Sequence, residues 1–214
     1  HGRIRRQRQM CIRDRTKEGL HNKKVKHITF NATEDTLSLE ELPPKIDGFV
    51  YCPGSINLRP FKGLKSEAFL NDFELNVLGA VKCLQIIQPL LAASEQASVV
   101  LFSTVAVQTG IPFHASVAAS KGALEGLGRS LAAEWAPKIR VNLIASSITD
   151  TPLANRFLNN EIKKEKSSLR HPLKRIGSVN DVAELAVFLL TEKSSWMTGQ
   201  VIGLDGGIST LNIN

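Results

Sequence analysis

Three apolar runs, each too short for a helix, constrain this chain most. They are Gly48–Cys52 (GFVYC), Ala97–Ser103 (ASVVLFS) and Ile139–Ile144 (IRVNLI). In the first two the apolar residues are consecutive rather than alternating, which is the pattern of strands covered on both faces, whereas Arg140 and Asn142 interrupt the third. Helical patterns separate them. From Ser66 onward, Leu70, Phe73, Val77, Val81 and Leu84 recur at intervals of three and four, so one stripe faces a core. Pro89 predicts a stop or a kink near that helix's end. Ser116–Trp135 is a second helix, rich in Ala and Gly and closed by Pro137. Ser178 caps a third, with Val182, Leu185, Ala186 and Leu189 on one face. Gln200–Leu204 (QVIGL) is a last strand before Asp205-Gly206-Gly207. Lys26–Phe30 (KHITF) reads as a further strand and Leu37–Leu42 as a weak helix before Pro43-Pro44. The polar stretch Thr151–Arg175 is a candidate lid. Strands alternating with helices predict an α/β fold with a doubly wound parallel sheet.

Composition supports a packed body with an unusual head. The chain is 43% hydrophobic, enough for a core, and carries a formal net charge of +7. Residues 1–26 hold ten Lys/Arg against two Asp/Glu, while the rest holds 17 against 18. A basic arm of this kind could contact phosphates. However, RQRQMCIRDR at residues 6–15 resembles translated sequencing-adapter read-through. Residues 1–15 are therefore expected to be a non-native or disordered basic head, and no nucleic-acid partner is expected. No apolar run reaches the length of a membrane span, so no membrane partner is expected either. Cys11, Cys52 and Cys83 are sparse and lack metal-ligand spacing, so no metal site and a reducing, cytoplasmic setting are expected.

Two blocks carry a more specific signal. WMTGQVIGLDGG (Trp196–Gly207) and SKGALEGLGRSLAAEWAPKIRVNLI (Ser120–Ile144) resemble the short-chain dehydrogenase/reductase family, as does Asn76 in NVLGA. The resemblance implies a Rossmann-like, three-layer domain that transfers hydride between NAD or NADP and a small carbonyl or alcohol substrate, in a homodimer or homotetramer. That family opens with a strand, a Thr-Gly-x-x-x-Gly-x-Gly turn, a helix and a second strand. Such a turn lets backbone N–H groups approach a pyrophosphate at a helix N-terminus. None of these is present, the glycines nearest the start being Gly2 and Gly19 with no flanking strand, so residues 16–214 are expected to form a single incomplete domain lacking the first two strands and first helix. Tight cofactor binding by this chain is accordingly not expected.

The resemblance also assigns roles residue by residue. Lys121 falls at the place of the lysine that lowers the pKa of a tyrosine four residues earlier and binds the nicotinamide ribose. That tyrosine place is Val117, which has no proton to give. Thr104 falls at the place of the serine that bonds the substrate carbonyl, and Asn76 at that of the asparagine in the proton relay. His114, three residues before Val117, could supply the missing proton, since an imidazole exchanges protons near neutrality. Ser116 is a weaker donor, and Tyr51, the only tyrosine, is a rival donor or a core residue. Cofactor contacts are implied at Asn31, Ala32, Pro53, Gly54, Thr149 and Thr151, besides Lys121. Ser146-Ser147 replaces the Pro-Gly of the family's nicotinamide loop. The alternative to an oxidoreductase is a non-catalytic homologue, a nucleotide-binding or partner subunit.

Overall fold

The computed structural model describes residues 28–212. The basic head, residues 1–15, lies outside the described residues. Four strands form one parallel sheet in sequence order: β1 (Gly48–Tyr51), β2 (Ala97–Thr104), β3 (Ile139–Ser146) and β4 (Val201–Leu204). The register pairs Val50 with Val100, Val99 with Val141, and Leu143 with Val201. The helices are α1 (Ser66–Ala92), α2 (Ala115–Trp135), α3 (Glu161–Leu169) and α4 (Val179–Leu190).

Strand alternation sorts the core into two layers. Val99 and Leu101 of β2 and Val141 and Leu143 of β3 point to one face, where Leu84, Ile87 and Leu91 of α1 and Leu124 of α2 cover them. Val100 and Ile144 point to the other face, against Ala186 and Leu189 of α4. The sheet is therefore wound on both sides, as its consecutive apolar residues predict. Side chains of this size each contribute about 1.5–3 kcal/mol on full burial. α1 is long and apolar enough, by length and composition, to cross a membrane; its apolar stripe packs on the sheet.

Close approach of α2 to the sheet explains its small residues. A Cβ at Gly128 would stand 2.6 Å from Leu143 Cδ1, so only glycine lets the helix lie this near β3. The Arg-Val-Asn triplet of β3 has an architectural role. Arg140 donates to the carbonyls of Leu189, Thr191 and Ser194, where it ties off the end of α4. Asn142 donates to Met197 O and accepts from Gln200 N, which sets the entry of β4. α4 begins with a capping box in which Ser178 and Asp181 satisfy each other's backbone N–H groups.

Four expectations change. Ile28–Phe30, the described part of the expected KHITF strand, is not a strand; Phe30 packs on the core beside α1. A strand needs a partner, and β1 pairs only with β2 among the described residues. Leu37–Leu42 supports one 3₁₀ turn, Leu39–Glu41. Pro89 neither stops nor ends α1, which runs on to Ala92; the proline lies in the last turn. α1 departs from α-geometry earlier, in a π-helical turn at Glu74–Leu78 that contains Asn76. The expected lid, Thr151–Arg175, is largely helical, with the turn Asn155–Leu158 and α3.

Candidate functional site

A cavity of about 620 Å³ opens at the C-terminal ends of the strands, where open α/β sheets bind their ligands. Thr104 and Ser146, the last residues of β2 and β3, line it, as do His114, Val117 and Lys121 from the start of α2. Thr149, Thr151 and Gly54 complete that part of the wall.

The polar floor is built from α1 and α2. Lys121 is 5% exposed and its Nζ donates to Phe102 O at 2.7 Å. Burial lowers its pKa to about 8, while the nearby Asp72 carboxylate and, secondarily, Cys52 pull the other way. Asn76 is fully buried in the π-turn, and its Nδ2 donates to Ser120 Oγ at 2.9 Å and to Ser55 Oγ at 3.2 Å. Ser55 in turn donates to Asp72 Oδ1 at 2.7 Å. Two oxygens of this network, Asn76 Oδ1 and Asp72 Oδ2, are buried without a partner. Buried acceptors left open are uncommon and cost free energy unless something fills them. Gly54 presents bare backbone to the same spot: a Cβ there would lie 3.5 Å from Lys121 Nζ and 3.6 Å from Asn76 Oδ1.

The other candidates take varied positions. Thr104 Oγ1 accepts from Ala106 N at 3.3 Å, and its own hydrogen remains available to the cavity. His114 is the residue before α2, and its Nδ1 lies 2.8 Å from Pro112 O. A carbonyl only accepts, so Nδ1 carries the proton and Nε2 is the free nitrogen. Val117 is 5% exposed and presents hydrocarbon to the cavity. Ser116 is fully buried and does not line it. Tyr51 resolves to a core residue: it is 2% exposed, donates to Leu75 O at 2.7 Å, and its phenol is pushed up by burial. A Cβ at Gly79 would collide with its hydroxyl, so that glycine seats the ring.

The cofactor-contact candidates divide between two cavities. Thr149 and Thr151 line the first. Asn31, Ala32 and Pro53 line a second, of about 610 Å³, together with Asp72 and Arg59; Gly54 borders both. Asn31 spends its side-chain oxygen locally, accepting from Thr33 N and Thr33 Oγ1. Gly122, Gly126 and Gly128 have the spacing of a phosphate-binding turn but lie inside α2.

Sequence reasoning did not single out His171. It is 3% exposed, its Nε2 lies 2.8 Å from Ser147 Oγ, and its Nδ1 lies 2.7 Å from Ser167 O. Both Ser147 and His171 line the first cavity. They are 24 residues apart, and no spacing rule joins them.

A Rossmann-like half-sheet with a buried lysine and asparagine at its ligand-binding end defines a dehydrogenase-like α/β protein. The family profile described as enoyl-(acyl carrier protein) reductase matches residues 32–209. This chain belongs to the short-chain dehydrogenase/reductase family. It is 36% identical to a tropinone reductase homologue of Arabidopsis thaliana over 166 residues, covering 77% of this chain and 63% of the relative. It is also 36% identical to senescence-associated protein 13 of Arabidopsis thaliana, covering 78% and 62%. The chain thus spans less than two thirds of the length of these relatives. A short-chain type dehydrogenase/reductase from Mycobacterium ulcerans superposes with a TM-score of 0.71 at 30% identity, covering 77% of this chain and 61% of that one. A gluconate 5-dehydrogenase from Burkholderia cenocepacia, solved with NADP and tartrate, shares the fold with a TM-score of 0.73 at 24% identity, covering 78% and 66%.

Proposed function

We propose that this chain carries the nicotinamide and substrate side of an NAD(P)-dependent oxidoreductase site acting on a small carbonyl or alcohol. One observation supports this most: Lys121 Nζ in the cavity wall and the unpartnered Asn76 Oδ1 buried behind it converge on the bare backbone of Gly54. A sugar with vicinal hydroxyls suits that arrangement, giving an O–H to Asn76 Oδ1 and accepting from the Lys121 ammonium. A nicotinamide cofactor, when bound, supplies or takes the hydride. Thr104 Oγ1 donates to the substrate oxygen from the opposite wall. With its pKa lowered to about 8, Lys121 exchanges protons close to the working range, and His114 presents its free Nε2 in the same cavity.

Val117 favours a second reading, a homologue that binds nucleotide without turnover, because its side chain offers no proton where a donor would act. Installing the donor separates the two. The Val117→Tyr variant is expected to gain NAD(P)H-dependent reduction of small ketones, and the gain is expected to vanish when Lys121→Met is added. A variant that binds the cofactor and turns nothing over would exclude the oxidoreductase reading for this pocket.

A further inference from the structure

We propose that Ser147 and His171 form a second reactive pair in the cavity wall, with Ser147 an acyl acceptor toward esters or thioesters of small apolar acyl groups. The hydrogen bonds of His171 set its tautomer. Nδ1 faces the Ser167 carbonyl at 2.7 Å, and a carbonyl can only accept, so Nδ1 carries the hydrogen of the neutral ring. Nε2 is then a lone pair, and the Ser147 hydroxyl donates to it at 2.8 Å. A hydroxyl, a base in hydrogen-bond reach and a third group orienting the base are the parts nucleophilic catalysis requires.

The fold holds the base in place. His171 follows α3 and is 3% exposed, and Leu173 N donates to Gly206 O at 3.1 Å. Gly206 adopts φ +62, and a Cβ there would lie 3.4 Å from His171 Cβ, so the turn after β4 lies flat against the histidine. Ser147 is only half-buried and faces the cavity, whose wall here includes Ile148, Leu153, Phe157 and Val182. That lining suits a short hydrocarbon acyl chain.

In the reaction, Ser147 Oγ bonds to the acyl carbon while its proton passes to His171 Nε2. The carbon–oxygen or carbon–sulfur bond of the ester breaks, and the departing alkoxide or thiolate takes the proton from Nε2. Water, deprotonated by the same nitrogen, then releases the acid and restores the serine. No step uses Lys121, Asn76 or a nicotinamide, so the pair stands independently of the oxidoreductase reading.

The test is exposure of the whole chain to p-nitrophenyl acetate, with acetylated peptides located by mass spectrometry. Ser146 and Thr149 are internal controls, being hydroxyls within two residues of Ser147 that line the same cavity. Acetylation of Ser147 on the order of 100-fold faster than of either control is expected, the scale of general-base assistance. In His171→Gln the rate should fall to that of the controls. Ser147 reacting no faster than Ser146 and Thr149 would overturn the proposal, as would a folded His171→Gln chain that labels at the original rate. The comparison within the unmodified chain decides the matter even where the variant does not fold.

Discussion

At the scale of single residues, Lys121 has the most consequential environment. Its ammonium is taken out of water with one carbonyl partner, and its pKa drops from 10.5 to about 8. A lysine with a depressed folded pKa destabilises the fold wherever the ammonium must be buried charged, which is below about pH 8. Between pH 8 and 10.5 the unfolded chain binds more protons, so this group's penalty fades as pH rises through that window. At about 1.36 kcal/mol per pKa unit, the full change is on the order of 3 kcal/mol. Urea unfolding of Lys121→Met across the window should therefore lose that rise, the variant being more stable than the parent at pH 7.5 and losing the advantage by pH 10.5. A difference that stays constant with pH would mean that the lysine is hydrated. The place of Lys121 was legible because it opens a helix in a recognisable run, Ser120–Glu125. Asn76 was legible from NVLGA, but its π-turn and unpartnered oxygen were not, since both depend on how α1 bends over α2. Ser147 and His171 were illegible as a pair, because tertiary packing alone brings the end of β3 to the end of α3.

At the scale of elements, apolar runs and small-residue spacing decide the architecture. β2 was readable because residues covered on both faces leave a nearly uninterrupted apolar signature, while β3, with Arg140 and Asn142 within it, and the half-buried β1 and β4 were readable as short β-rich runs between turn signals. The KHITF run carries the same local preference, yet Ile28–Phe30 forms no strand, because β propensity is expressed only where a neighbour supplies hydrogen bonds. The glycines of α2 make the same distinction measurable. Gly126 has open space where a Cβ would go, whereas Gly128 faces Leu143, which is fully buried and has no room to turn away. Alanine gains about 1 kcal/mol of helix propensity at either position. Overpacking a core costs typically 1–3 kcal/mol, so at Gly128 the clash wins. Thermal unfolding should show Gly126→Ala raising Tm and Gly128→Ala lowering it. Equal shifts of the same sign would mean that α2 does not press on β3 as described.

At the scale of the molecule, the described residues form a sheet with β1 at one edge and the cavity at its carboxyl ends. Lys121 and Asn76 are held by helices packed on the same core, so their convergence on Gly54 is a property of the whole fold. Arg140 and Asn142 contribute from a distance by fixing α4 and β4, which carry the turn that seats His171. The proposed function requires this convergence to recognise the nicotinamide half of a dinucleotide. Saturation-transfer NMR with NADPH tests it directly, because the method detects weak, rapidly exchanging complexes and reports which end of the ligand is in contact. Enhancement of the nicotinamide and adjoining ribose protons is expected, reduced at least about tenfold in Lys121→Met, the scale of one lost charge-assisted hydrogen bond. Enhancement confined to the adenine end, or a nicotinamide signal indifferent to the loss of Lys121, would contradict it.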